Sequence, residues 1–175
     1  NFRPCRLYDA RLCPLKGKSP ADIDFTIFRE NTEGSYVGIG GFLKKGTPDE
    51  VAIQEEINTY KGVERICRAA FEWAVANGKK KVLMADKSNV MRYGHDLWQR
   101  VFFGLAKEFP SIAASHMFVD ALCMQMVRAP EQFEVIVSNN MFGDILTDLG
   151  GAHQGGLVVA GSANLHPGRT SMFEP

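Results

Sequence analysis

Asp144 and Asp148 stand four residues apart in residues 141–149, a segment whose pattern predicts a helix directly after the apolar, β-branched run 135–137. That spacing puts both carboxylates on one helix face just past the carboxyl end of a strand. There they could share one hard divalent cation such as Mg2+ or Mn2+. Acidic residues also favour the first turn of any helix, so the pair alone does not separate a metal site from a solvated helix start.

The elements that must position this pair follow from periodicity. Strands are predicted at residues 1–8, where Pro4 pushes Arg3 into extended backbone, and at 24–29, 81–86, 112–119 and 135–137. Thr59 caps a predicted helix whose apolar stripe, Val63, Ile66, Cys67, Ala70, Phe71 and Ala74, ends at Asn77-Gly78. Leu97, Val101 and Leu105 mark a second helix ending before Pro110, and residues 121–128 a Met-rich third. Residues 37–43 and 51–57 predict two arms of a protruding hairpin, expected to pair with another chain because such a ribbon is marginal alone. Strand and helix alternate from Asp24 onward, so the fold class is α/β with a largely parallel sheet.

In open α/β sheets, ligands bind outside the carboxyl ends of the strands. Those ends carry Arg29, Lys87, Asn89, Asp120, Asn140, Asp144 and Asp148, with Tyr36 in the polar, Gly-rich turn segment 30–41. The set offers a cation for substrate carboxylates, a lysine and a tyrosine for proton transfer, and three carboxylates for a metal. Asn89 and Asn140 are equally at home as turn residues. The glycines at 38, 40 and 41 match neither dinucleotide nor P-loop spacing.

The remaining composition excludes several classes. At 175 residues and 45% apolar content, the chain is long enough for an ordinary core. Its 20 basic and 20 acidic residues cancel, which argues against a nucleic-acid partner, and no apolar run approaches a membrane span. Cys5, Cys13, Cys67 and Cys123 are scattered without C-x-x-C spacing, as expected of reduced thiols in a cytoplasmic protein. A start at Asn1 and an end at Phe173-Glu174-Pro175 lead us to expect a central piece of a longer protein.

The chain resembles the metal-dependent β-decarboxylating dehydrogenases, the isocitrate, 3-isopropylmalate, homoisocitrate, D-malate and tartrate dehydrogenases. The resemblance rests on Asn1-Phe2-Arg3-Pro4, Arg11-Leu12-Cys13-Pro14-Leu15-Lys16, Arg29-Glu30-Asn31-Thr32-Glu33-Gly34-Ser35-Tyr36 and Lys87-Ser88-Asn89. It continues through Val119-Asp120, Asn140-Met141-Phe142-Gly143-Asp144-Ile145-Leu146-Thr147-Asp148, Gly161-Ser162-Ala163-Asn164 and Met172-Phe173-Glu174-Pro175, so it spans the whole chain in order. It implies an isopropylmalate-dehydrogenase-like open mixed sheet flanked by helices, with an intersubunit β arm at about 37–58. Residues 1–8 and 157–175 would belong to a large, cofactor-side domain and 9–156 to a small substrate and dimerisation domain.

The same resemblance implies roles. Arg3, Arg11 and Arg29 would clamp the carboxylates of a 2-hydroxy dicarboxylic acid, and Asp144 and Asp148 would hold Mg2+ or Mn2+ together with Asp120 from a second subunit. Lys87, also supplied across a homodimer, would take the hydroxyl proton, and Tyr36 would protonate the enolate carbon after CO2 leaves. Asn89, Asn140 and Glu174 would face NAD or NADP. Lys87-Ser88-Asn89 looks like the tartrate and D-malate branch, whereas Val119-Asp120-Ala121 leans toward isopropylmalate. Two other classes compete: a noncatalytic regulatory paralogue, disfavoured by the presence of Tyr36, Lys87 and all three aspartates, and a metal-dependent hydrolase, for which no nucleophilic carboxylate stands at an early strand end.

Overall fold

The computed structural model describes residues 1–174; Pro175, the last residue of the Met172-Phe173-Glu174-Pro175 motif, lies outside the described residues. The chain runs β1 (Phe2–Arg6), β2 (Asp24–Arg29), β3 (Gly40–Leu43), β4 (Val51–Gln54), α1 (Tyr60–Ala76), β5 (Lys81–Asp86) and α2 (Gly94–Ala106). It continues through β6 (Ala113–Phe118), α3 (Val119–Arg128), β7 (Val135–Ser138), α4 (Asn140–His153), β8 (Ser162–Asn164) and β9 (Met172–Glu174).

Seven strands form one sheet in the order β6-β5-β7-β2-β1-β8-β9. The pairings β5·β6, β5·β7 and β2·β7 are parallel, while β1·β2, β1·β8 and β8·β9 are antiparallel. The sheet is therefore mixed rather than largely parallel. Its parallel half is covered on both faces, which explains the continuous apolar runs of β2, β5 and β7. Side chains alternate between the faces. Phe28, Val82, Met84, Val135 and Val137 pack beneath α1 and α2 with Phe71, Trp98 and Phe102, whereas Ile27, Leu83, Ala85 and Ile136 pack against Leu122 and Met126 of α3 and Leu146 of α4. Strands from both expected domains, β1, β8 and β9 on one side and β2 on the other, share this single sheet.

Helix starts follow their caps. Thr59 Oγ1 accepts from the Gly62 N–H at 3.0 Å, and Asn139 Oδ1 accepts from the Phe142 N–H at 2.9 Å. Two boundaries differ from the sequence-based expectation, while α2 ends at Ala106, ahead of Pro110 as expected. α3 begins at Val119 rather than at residue 121, so Asp120 stands in a helical first turn rather than at a strand end. α4 runs through Gly150-Gly151 to His153. A Cβ on Gly150 would lie 2.5 Å from Cys5 Sγ, so this glycine is a point of close helix–sheet packing rather than a helix stop.

β3 and β4 form a separate two-stranded ribbon, shorter than the expected 37–43 and 51–57 arms, and every residue of both strands is exposed. No helix among the described residues is long and apolar enough to cross a membrane.

The α1–α2 layer is centred on Phe71, fully buried, with its ring 5.1 Å from both Phe102 and Phe109. Phe71→Ala should destabilise the protein by about 3–5 kcal/mol through cavity formation, read as a lowered denaturation midpoint; a shift below about 1 kcal/mol would show that this layer repacks freely.

Candidate active site at the carboxyl edge of the sheet

Because β2, β7, β5 and β6 run parallel, their carboxyl ends share one edge of the sheet, and the amino end of antiparallel β1 joins them. β2 delivers Arg29 to this edge and the capped start of α4 delivers Asn140 and Asp144. Asn140 Oδ1 accepts from Arg29 Nε at 3.1 Å and from Nη2 at 2.7 Å, and Arg29 Nη1 forms a short ion-paired hydrogen bond with Asp144 Oδ1. Tyr36 donates its hydroxyl to the other Asp144 oxygen at 2.7 Å, and the Arg29 guanidinium lies over its ring, 5.5 Å from the centroid. A Cβ at Gly143 would stand 2.6 Å from Arg29 Cγ, so this position lets the arginine stem lie flat on α4.

The loop that carries Tyr36 is fixed by two glutamates, Glu30 and Glu33, to which the sequence pattern assigns no chemical role. Glu30 is 2% exposed; its carboxylate accepts from the Thr32 N–H and Oγ1, from the Glu33 N–H and from Arg65 Nη2. Glu33 in turn accepts from the N–H and hydroxyl of Thr59 at the start of α1. Charge-assisted bonds of this kind hold an irregular segment as firmly as regular structure would.

Lys87 follows β5, and its Nζ lies 2.7 Å from Asp120 Oδ1, with the ammonium 5.5 Å from the Phe118 ring centroid. The Lys87 hydrogen bond holds the Asp120 carboxyl below its ordinary range. Tyr36 shifts the other way: its bond to Asp144, partial desolvation and the charge of Asp144 together raise its phenol above the usual value, against a lowering influence from Arg29. The proton therefore stays on Tyr36 at neutral pH.

The other expected residues separate into those near this edge and those elsewhere. Arg3 lies near the amino end of β1 and donates from Nε to Asn1 Oδ1 at 2.9 Å. Arg11 sits beyond the carboxyl end of β1 in a short 3-10 turn, exposed and paired with Asp9, while its neighbour Leu12 packs against Gly155 past the end of α4. Among the described residues, the Arg11 side chain bonds to Asp9 and not to Arg29 or Asp144. Asn140, expected to face the cofactor, is 3% exposed; its Oδ1 faces Arg29 and its Nδ2 donates to the Glu33 carbonyl at 2.9 Å. These bonds make it a holder of Arg29. Asn89 is exposed, and the exposed Glu174 on β9 accepts from Ser162 Oγ at 3.4 Å.

Asp144, half-exposed, and Asp148, exposed, present oxygen donors one helical turn apart, a donor chemistry that fits Mg2+ or Mn2+. Both Asp144 oxygens are already in contact with Arg29 and Tyr36, so an ion there would share them. Within one chain, no three His, Cys, Asp or Glu side chains among the described residues converge on a metal position, and Asp120 pairs instead with Lys87. A cleft of about 950 Å³ opens on the α1 side of Arg29, between Arg65, Trp73 and the 164–172 segment; Asp144, Tyr36 and Lys87 do not line it.

A family model described as isocitrate/isopropylmalate dehydrogenase matches residues 1–175. The chain is 46% identical over 177 residues to the 3-isopropylmalate dehydrogenase of Thermobifida fusca, covering 100% of this chain and 50% of that protein. It is also 46% identical to the decarboxylating D-malate dehydrogenase of Escherichia coli, covering 49% of it. Among solved structures, an isocitrate dehydrogenase from Methylococcus capsulatus superposes with a TM-score of 0.89 at 35% identity, over 98% of this chain and 49% of that one. The chain thus spans about half the length of the curated relatives it matches.

Two measurements test this geometry. Phenolate titration of the protein minus that of Tyr36→Phe should place Tyr36 above the ordinary tyrosine value of about 10, and Asp144→Asn should bring it back down. By linkage, the Tyr36–Asp144 bond stabilises the fold below the ordinary tyrosine value, and that contribution is lost as pH rises through the raised one. Gly143→Ala should displace Arg29 and cost about 1–3 kcal/mol by overpacking; unchanged thermal stability together with unchanged carboxylic-acid binding would refute the close approach.

Proposed function

The chain belongs to the isocitrate/isopropylmalate dehydrogenase family, and from that premise we propose that the protein it is part of catalyses NAD(P)-dependent oxidative decarboxylation of a malate-like 2-hydroxy dicarboxylic acid. D-malate or tartrate and 3-isopropylmalate are the candidate substrates, in keeping with the names of its relatives. The observation that carries the proposal is the cluster of Arg29, Asn140, Asp144 and Tyr36 at the carboxyl edge of β2 and β7.

Each side chain has a task that its surroundings support. Arg29, held flat by Asn140 and Asp144, offers donors in a planar fork suited to a substrate carboxylate, with Arg3 at the same edge as its companion. Arg11 joins them in the proposed clamp only if its pairing with Asp9 is exchanged for substrate. Lys87 from the second copy accepts the proton of the 2-hydroxyl as a neutral amine, once its pairing with Asp120 is given up, and Tyr36, which retains its own proton at neutral pH, delivers that proton to the carbon from which CO2 departs. When bound, NAD or NADP supplies the hydride acceptor and Mg2+ or Mn2+ the positive charge that polarises the ketone for loss of the β-carboxylate. Asp144 and Asp148 would hold the ion, with Asp120 from a second copy, and Asn89 and Glu174 would lie toward the nucleotide.

A homodimer with shared sites is part of the proposal. Its support is the wholly exposed ribbon, which displays Phe42, Leu43, Val51 and Ile53, together with the exposed Met124 and Val127 of α3 and Ile145 of α4. The cofactor-side and substrate-side domains, divided near residues 8 and 157, and a cytoplasmic setting for the scattered thiols complete it.

The test uses the full-length protein: reduction of NAD+ and NADP+ with Mn2+ against D-malate, tartrate, 3-isopropylmalate and isocitrate. One acid should turn over, and Lys87→Ala or a chelator should lower kcat by about 100-fold or more. A folded protein that binds Mn2+ and turns over none of the four would favour the regulatory paralogue.

A further inference from the structure

His95 lies in the first turn of α2, 1% exposed and itself assigned no chemical task. Its Nδ1 accepts from the backbone N–H of Lys87 at 2.8 Å. A ring nitrogen that accepts carries no proton, so the neutral ring must bear its hydrogen on Nε2. Nε2 lies 3.2 Å from Asn139 Nδ2, which donates to Glu56 Oε1 at 2.9 Å, and faces that same oxygen at 3.7 Å, so the acceptor on this side is the Glu56 carboxylate. Asn139 Oδ1 meanwhile caps α4 through the Phe142 N–H, which fixes the orientation of its amide. The Phe142 ring meets the imidazole edge-on, with centroids 5.5 Å apart.

Glu56 has the character this arrangement requires. Burial raises its carboxyl, but its polar neighbours His95, Asn58 and Asn139 outweigh that and leave it below the ordinary range, so it remains an acceptor. The Lys87 peptide, the imidazole, Glu56 and the Asn139 cap of the helix that carries Asp144 and Asp148 thus pack in sequence, joined by hydrogen bonds except across the 3.7 Å approach of Nε2 to Glu56.

We propose that His95 is a positioning residue, locked as the Nε2–H tautomer, which fixes the peptide of Lys87, and with it the lysine's reach into the shared site, from a ring wedged against Asn139 and Glu56. The proposal rests on the dehydrogenase reading for its kinetic consequence but not for its structural one. It assigns His95 no contact with substrate or cofactor. Its effect passes through the peptide of Lys87, so it should alter turnover rather than binding of the hydroxy acid.

The experiment has two arms on the full-length protein. In the first, 15N-histidine NMR should report Nε2–H for His95, and amide exchange should show a protected Lys87 N–H that becomes exposed in His95→Phe and is protected again in His95→Asn, whose Oδ1 replaces the Nδ1 acceptor. In the second, His95→Phe should lower kcat by about 10-fold or more while KM for the hydroxy acid stays within about 3-fold, and His95→Asn should recover most of the loss. An Nδ1–H tautomer, an unprotected Lys87 amide, or a folded His95→Phe protein with unchanged kcat would overturn the proposal. Equal losses in the Phe and Asn variants would also overturn it, because the role would then be packing alone. Should the wild-type protein oxidise none of the acids, the dehydrogenase reading fails, and the NMR arm still decides the clamp.

Discussion

The site depends on one shared guanidinium. Arg29 leaves the end of β2 with its side chain only 11% exposed, and a nearly buried cation must find partners or shed its charge, which arginine does not do. Its partners come from one turn of α4, Asn140 and Asp144, so satisfying the charge also fixes where that helix begins relative to the strand. The order of causes matters. Asn139 caps the helix and Gly143 leaves room for the arginine stem, and the carboxylate of Asp144 then arrives beside Arg29 with its second oxygen turned to Tyr36. Removing Asp144 would leave the nearly buried guanidinium without its counter-charge, a far larger effect than loss of a surface ion pair.

Tyr36 adds a second layer to the same logic. It sits in a 3-10 turn too short to hold its own position. The preceding residues instead wrap their N–H groups around the buried Glu30 carboxylate, and Glu33 ties them to the cap of α1. Loops that carry function need such anchoring from a rigid scaffold. Here acidic side chains serve as anchors, and an unaided reading of charge would have placed them in solvent.

The parts of this structure written in local pattern were legible. The continuous apolar run 135–137 marks β7 and the alternating, β-rich pattern 24–29 marks β2, the stripe from Val63 to Ala74 marks α1 with its cap, and the rule that ligands gather at carboxyl strand ends selects Arg29, Lys87, Asp120, Asn140 and Asp144. What escaped were features set by partners distant in sequence. Nothing near Asn140 signals that its amide faces Arg29, 111 residues earlier, nor does anything near Asp144 announce the Tyr36 hydroxyl, 108 residues away. Gly150-Gly151 reads locally as a helix stop, yet the need for contact with Cys5 keeps the helix running through it. Asn139 was the one overlooked residue with a local signal, an Asn directly before an apolar-periodic segment.

The exposed ribbon connects to this edge more directly than its separation from the main sheet suggests. Two strands with no buried residue cannot be stable on burial of their own, so their geometry must be set at their ends or by another chain. One end is visible. Past β4, Gly34 and Ile57 exchange backbone hydrogen bonds at 2.8 and 3.2 Å, and Glu56 beside them reaches Asn139 at the cap of α4. The returning leg of the arm is thus bonded both to the Tyr36 loop and to the helix that presents Asp144. If a second copy clasps the ribbon, as the proposed dimer requires, the strain or order it imposes enters the site through Glu56 and Gly34, two residues that need never touch substrate. Assembly and alignment of the catalytic side chains would then be one equilibrium rather than two, because the same few hydrogen bonds belong to both.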